Sequence, residues 1–234
     1  MACNTEPDSR YVIAIGAAAL DEYYTADTWP SEGGKAMVDY KEDMIGGMIP
    51  NAACVFAGYG VHTYLVDTLK NNSKKTDMIV SDLKAHGVKT GLLRYQDDIP
   101  DARTIIILTH RERTILVVEP HKPLLDIKAC ELDIFRKASY IYTTPVELKN
   151  IRNYMEFVDD MKSHHVKLAF DIEASTVDAC DKELIYKGDV LFFNEFGFEK
   201  IKGNRGEEEA FSEMFENGVE IATITLGEKG TRQS

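Results

Sequence analysis

The chain has 234 residues, 44% of them apolar and 28% charged, which suits one large α/β domain or two small ones with a real core and a water-facing surface. Lys and Arg number 27 against 39 Asp and Glu, and the formal net charge of −12 argues against sequence-blind binding to nucleic acid or to an anionic membrane, both of which need a cationic face. No apolar run approaches the roughly 20 residues of a membrane span, and the polar N-terminal stretch lacks the apolar segment of a secretory signal. Cys3, Cys54, Cys130 and Cys180 are far apart and form no CxxC pair, so they read as free or buried thiols of a cytoplasmic protein rather than a disulfide framework or zinc site.

In chain order, short β-branched runs alternate with longer helical patterns, which argues for a parallel sheet with helices on its faces. A buried strand is expected over 11–15, reaching Gly16. Gly46-Gly47 and Pro50 then introduce a helix over 52–59, since proline suits a first turn where its missing N–H has no partner anyway. A strand at 62–67 and an amphipathic helix at 76–86, stopped by Gly87, follow. The texture changes between Lys89 and Glu119, where 102–109 and 114–119 read as antiparallel strands about a polar turn at 110–113. With a strand candidate at 36–40, they would make a small accessory sheet. The alternation resumes with a helix at 127–137, a strand at 140–142, a helix at 146–164, a strand at 167–171 and a short helix at 179–186. A strand at 190–193 ends at Asn194; an acidic helix at 207–217 is closed by Gly218; a last strand at 221–226 runs into Gly227-Glu228-Lys229-Gly230. Ligand sites in open α/β sheets lie beyond the carboxyl ends of the strands, and a further helix after this turn would complete such a site.

Two segments carry the chemistry. Gly16-Ala-Ala-Ala-Leu-Asp21 places a carboxylate just after the first strand, where Asp21 would accept hydrogen bonds from two neighbouring hydroxyls; a helix N-cap or solvated loop aspartate is the plainer alternative. Gly46-Gly47-Met-Ile-Pro-Asn51-Ala-Ala lets backbone N–H groups approach a ligand without a Cβ in the way, and Asn51 both donates and accepts; an ordinary turn and helix start is the alternative. Other tempting residues read as structural. His164-His165 looks like a solvated helix end, 110–113 an exposed hairpin tip, Glu207-Glu208-Glu209 a complement to a helix dipole, and Asp171 a strand-end aspartate. Tyr23 and Tyr24 fit either stacking on a substrate or packing.

The ordered set G-x-x-x-x-D after the first strand (Gly16 to Asp21), G-G-x-x-x-N-x-A before the first long helix (Gly46 to Ala53) and T-L-G-x-x-G after a late strand (Thr225 to Gly230) resembles the ribokinase-like, or PfkB, carbohydrate kinases, from about Tyr11 to Gly230. The resemblance implies a three-layer α/β sandwich, here a single domain over 1–234, with a mainly parallel sheet and a small β-lid, from segments near 23–40 and 91–119. It implies ATP-dependent phosphorylation of a sugar or related polyol, with ATP and Mg2+ as cofactors and a homodimer through the lid as one arrangement. Asp21, Gly46, Gly47 and Asn51 match positions that hold substrate hydroxyls; Arg103 and Thr104, starting a lid strand, are further substrate contacts. Thr225, Gly227 and Gly230 match the segment along the nucleotide, and Asn194 matches the asparagine opening the N-x-x-E motif linked to magnesium and phosphate. Here that run is Asn194-Glu195-Phe196-Gly197, with glycine in place of the glutamate and Glu195 or Glu199 as off-register substitutes.

The family's G-A-G-D signature, whose aspartate is the base and whose glycines open an anion-binding helix, has no counterpart within the 234 residues. The expectation is therefore that these residues alone turn over negligibly, the base coming from sequence beyond Ser234. Two other readings stay open: a non-catalytic sugar-binding fragment, and a nucleoside kinase of the same fold.

Overall fold

Alternation of apolar side chains along short strands buries both faces of a parallel sheet only if helices cover both. The computed structural model, which describes residues 10–110, 112–118 and 121–234, has that arrangement. In chain order its strands are β1 (Tyr11–Ile15), β2 (Ala19–Thr25), β3 (Asp39–Gly46), β4 (His62–Val66), β5 (Thr68–Lys70), β6 (Arg94–Gln96), β7 (Arg103–Leu108), β8 (Arg113–Val118), β9 (Tyr140–Thr143), β10 (Lys167–Ile172), β11 (Val190–Asn194), β12 (Ile221–Thr225) and β13 (Thr231–Gln233). Its helices are α1 (Met48–Gly58), α2 (Lys74–Ala85), α3 (Ala129–Arg136), α4 (Pro145–Lys149), α5 (Tyr154–Ser163), α6 (Ala174–Ala179), α7 (Lys182–Ile185), α8 (Glu195–Lys202) and α9 (Glu207–Glu216).

The main sheet has seven strands in the order β13-β12-β11-β10-β9-β1-β4, all parallel except β13, which pairs antiparallel with β12. Side chains alternate between two cores, as the two-residue period of a strand requires. Ile13, Ile15, Ile141, Leu168, Phe170, Leu191 and Phe193 face one side, against Phe135 of α3, Val158 and Met161 of α5, Phe198 of α8 and Met214 of α9. Ala14, Leu65, Tyr142, Ala169 and Val190 face the other, against Ile49 and Ala53 of α1 and Ile79 and Leu83 of α2. The fold is an α/β sandwich with a mainly parallel sheet between two helical layers. Among the described residues no helix is long and apolar enough to cross a membrane.

A second sheet of four strands, β3-β2-β7-β8, stands off this body; β2 pairs antiparallel with β3 and parallel with β7, and β7 and β8 form the expected hairpin. Arg111 in its turn, and Glu119 at its expected end, lie outside the described residues, as does Cys3. The lid segments expected at 23–40 and 91–119 differ from those observed. The sheet starts at Ala19, continues on its first half to Gly46, and its second half spans 103–118. The reason is that Leu20 and Glu22 are both buried on one face of β2, and a buried carboxylate hides the apolar alternation that marks a strand. The strand candidate at 36–40 is β3 displaced to 39–46, a polar, mostly exposed edge.

Other boundaries moved for local reasons. The helix expected over 146–164 is two helices, because Asn153 is left-handed (φ 55°) and restarts the chain. Thr144 caps the first of them, accepting the Glu147 N–H at 3.0 Å, with Pro145 in its first turn. Helix α1 begins at Met48 rather than 52, and the helix at 179–186 is divided between α6 and α7. The short parallel pair β5–β6, helix α8 and strand β13 carry too few patterned residues to be read from sequence.

Candidate active site

Strand β1 ends at Ile15, and the three residues that follow lead directly into β2 of the small sheet. Three glycines make the crossing tight. A Cβ on Gly16 would come within 2.5 Å of the Ile49 side chain, so glycine here lets α1 seat against the end of β1. Gly47 has φ 109°, and a Cβ there would lie 2.5 Å from the Ala17 carbonyl oxygen, so conformation and space both call for glycine. At Gly46 a Cβ would fall inside the Asp21 carboxylate. The β2–β3 register explains it: Ala19 stands opposite Gly46 and Asp21 opposite Met44, so the aspartate lies over the bare backbone of the glycine.

Asp21 also stands beside Thr104 in the β2–β7 register, and the buried Thr104 hydroxyl donates to its carboxylate. Partial burial pushes the Asp21 pKa above the ordinary carboxylate range, an effect the threonine partly offsets. A half-buried carboxylate held from one side by a hydroxyl, with remaining lone pairs to offer, is suited to accepting hydrogen bonds from a polyol. The structure thus brings Asp21, Gly46, Gly47 and Thr104 together.

Arg103 is elsewhere. It is paired with Leu20, one position out of phase with Asp21, and therefore projects from the opposite face of the lid. There it lies 3.7 Å from Glu22, which also pairs with Lys75 of α2. Burial pushes Glu22 up, but Lys75 and Arg103 outweigh it and hold the group below its ordinary pKa. Asn51 is on α1, its N–H bonded to the Gly47 carbonyl at 3.1 Å, and it is exposed. It lines a groove with Asp43, Met44, Ile45 and Met78 that does not include Asp21.

Two cavities open at the carboxyl edge of the main sheet, of about 250 and about 330 Å³. The smaller is lined by Gly16, Ala17, Asp67, Thr68, Lys122 and Glu147 among others; the larger by Ala17, Met48, Thr144, Glu147, Glu173 and Ser175 among others. Glu147 stands between them and accepts the Ala17 N–H at 3.3 Å. Asp67, Lys122 and Glu147 were not singled out from sequence; only the position of Asp67 at a strand end signals anything beforehand.

The other end of the same edge holds Asn194 and Thr225, neighbours in the β11–β12 register. Thr225 donates to the Phe193 carbonyl at 3.2 Å, and beyond it Gly227 (φ 58°) and Gly230 (φ 86°) fold the chain back, with the Leu226 N–H bonded to the Gly230 carbonyl at 2.8 Å. Asn194 accepts the Gly197 N–H at 2.7 Å and so caps α8. Gly197 has no room for a side chain, since a Cβ would lie 2.6 Å from the Ile172 carbonyl oxygen. Glu195 is exposed and Glu199 pairs with Lys202 at 2.8 Å. Among the described residues no group of three His, Cys, Asp or Glu could hold a metal ion. Asp171 accepts a hydrogen bond from Tyr142 at 2.8 Å, and burial raises the Asp171 pKa.

Residues 9–234 match the family described as pfkB family carbohydrate kinase. No curated protein sequence matches. Among solved structures, ribokinase of Arabidopsis thaliana, in complex with ribose and ATP, is 20% identical with a TM-score of 0.79, covering 97% of this chain and 75% of that one. Ribokinase of Thermotoga maritima is 16% identical with a TM-score of 0.79, over 96% of this chain and 74% of that one. The fructokinase of Halothermothrix orenii is 15% identical with a TM-score of 0.77, over 96% and 82%. At these identities the likeness is one of fold.

Proposed function

The chain belongs to the pfkB family of carbohydrate kinases, and from that premise we propose that its acceptor is a sugar or related polyol, held by Asp21 over Gly46 and phosphorylated at a hydroxyl by ATP. The observation that carries this reading is the contact of the Asp21 carboxylate with a glycine 25 positions away, against a threonine that fixes its orientation. Thr104 joins Asp21, Gly46 and Gly47 in the acceptor site. Asn51 lines the adjoining groove with Met44 and Met78 and would meet an acceptor only where it extends past the Gly47 turn, and Arg103 takes a structural part with Glu22. The nucleotide lies along Asn194, Thr225, Gly227 and Gly230.

In this proposal the residues present bind and orient. Asp21 accepts from acceptor hydroxyls, the lid excludes water, and the backbone of the 227–230 turn approaches the nucleotide where side chains would block it. The transfer itself needs a base and an anion-binding helix, which the G-A-G-D segment supplies in the family. The residues do not fit a magnesium holder, because Gly197 leaves the N-x-x-E position bare. The lid favours a homodimer: Ile115, Leu116 and Val117 of β8 are exposed, Val117 to 68%.

A thermal-shift panel tests the acceptor class. A pentose or hexose at about one hundred times its dissociation constant is expected to raise the melting temperature by about 5–10 °C. Stabilisation by adenosine and by no sugar would replace the reading with a nucleoside acceptor.

A further inference from the structure

We propose that Asp67 and Lys122 form a latch between the lid and the body, with Asp67 a positioning residue for the strand that carries Asp21. The inference rests on the acceptor reading of Asp21 for its functional meaning, but its test needs no sugar. Asp67 immediately follows β4 and its side chain is 6% exposed. The carboxylate accepts three hydrogen bonds: from the Ala18 N–H at 2.9 Å, from the Thr68 N–H at 2.7 Å, and from Lys122 Nζ at 2.6 Å.

Two of these partners, Ala18 and Lys122, lie on different crossings. Ala18 belongs to the segment by which the chain enters the lid, three residues before Asp21. Lys122 belongs to the segment by which it returns after β8. Further along the return, Leu125 is already fixed to the body, donating to Asn150 at 2.7 Å and accepting from Arg152 at 2.9 Å. One carboxylate therefore ties the outgoing and the returning strands to the end of β4. From the other side Glu147 holds Ala17, so successive N–H groups of the crossing are each gripped by a carboxylate of the body.

The charge on Asp67 makes the tie selective. A buried carboxylate deprived of its ammonium partner is left uncompensated, and it must reorganise or take up a proton, which weakens its hold on the Ala18 N–H. Burial, only partly offset by Lys122 and the two backbone donors, leaves Asp67 pushed up to about 6. Opening that frees the Ala18 N–H also lets water reach the carboxylate, so its pKa falls back toward the ordinary carboxylate range. The carboxyl therefore binds its proton more tightly in the closed latch, so acid favours closure and that gain is lost as pH rises through about 6. The titratable groups lining the same cavity are His121 and Lys122 from the return segment and Glu147 from α4.

Hydrogen–deuterium exchange on the ligand-free chain tests this. In Lys122→Met at pH 7.5, exchange across 17–25 is expected to be about tenfold faster than in the parent, with β9–β11 unchanged and Lys122→Arg restoring most of the protection. In the parent chain, lowering pH from 7.5 to 5.5 is expected to slow exchange over 17–25 after correction for intrinsic rates. His121→Gln is expected to keep that response and Asp67→Asn to abolish it. If Lys122→Met loses protection in β9–β11 as well, the pH series in the parent chain decides. Unchanged exchange over 17–25 in a folded Lys122→Met chain, or a pH response that survives Asp67→Asn, overturns the latch.

Discussion

Gly46 needs no unusual backbone angle, yet a methyl group there would collide with the Asp21 carboxylate. Gly46→Ala should therefore act on two readouts together: stability falls by about 1–3 kcal/mol from overpacking, measured by urea unfolding, and sugar-induced stabilisation is lost because Asp21 is displaced. An alanine variant that keeps both would show that Asp21 is not seated where its contact with Gly46 puts it. At this scale the sequence was legible where a motif names the partners: Asp21 and Gly46 are each conspicuous, and the structure brings them into contact. Arg103, expected with Thr104 as a further substrate contact, matches no motif; adjacent strand residues point to opposite faces, and it pairs with Glu22. Asp67 gave almost no signal, because its partners at positions 18 and 122 meet only in the folded chain.

The lid shows how an element can be misplaced while its existence is clear. Strand β2 holds Glu22 buried beside Lys75 and Arg103, so its inward face is part charged and the two-residue alternation is obscured. Strand β3 is polar along most of its length. The hairpin β7–β8, rich in Ile, Leu and Val, was plain. Helix α8 was missed because its start depends on the Asn194 cap and on Gly197 fitting against the end of β10, neither of which has a periodic signature. The exposed apolar residues of β8 belong to this scale. If the lid joins two copies, sedimentation should show a dimer for the parent chain and a monomer for Val117→Glu, with the melting temperature of the α/β body little changed, since the position is solvent-facing in one copy. A parent chain that sediments as a monomer at tens of micromolar would remove the lid from any account of assembly.

Across the whole molecule the architecture follows from alternation of strands and helices, and that pattern was legible along most of the chain. Parallel order, two cores and the carboxyl-edge location of the motifs all come from it. Four strand spacings of about 4.8 Å separate β1 from β12, so the segments proposed for acceptor and nucleotide lie roughly 19 Å apart along one edge. Such an arrangement suits an extended nucleotide whose terminal phosphate points toward the lid. What the pattern did not convey is how the lid is tied down, because those ties are side chains reaching across strands distant in sequence. The central claim is that the Asp21 carboxylate receives the hydroxyls of a sugar. Calorimetric titration of the best sugar into the parent chain and into Asp21→Asn measures it: removing a charged acceptor is expected to weaken binding by about 10- to 100-fold without lowering the melting temperature. Equal affinity in the two proteins would contradict the account.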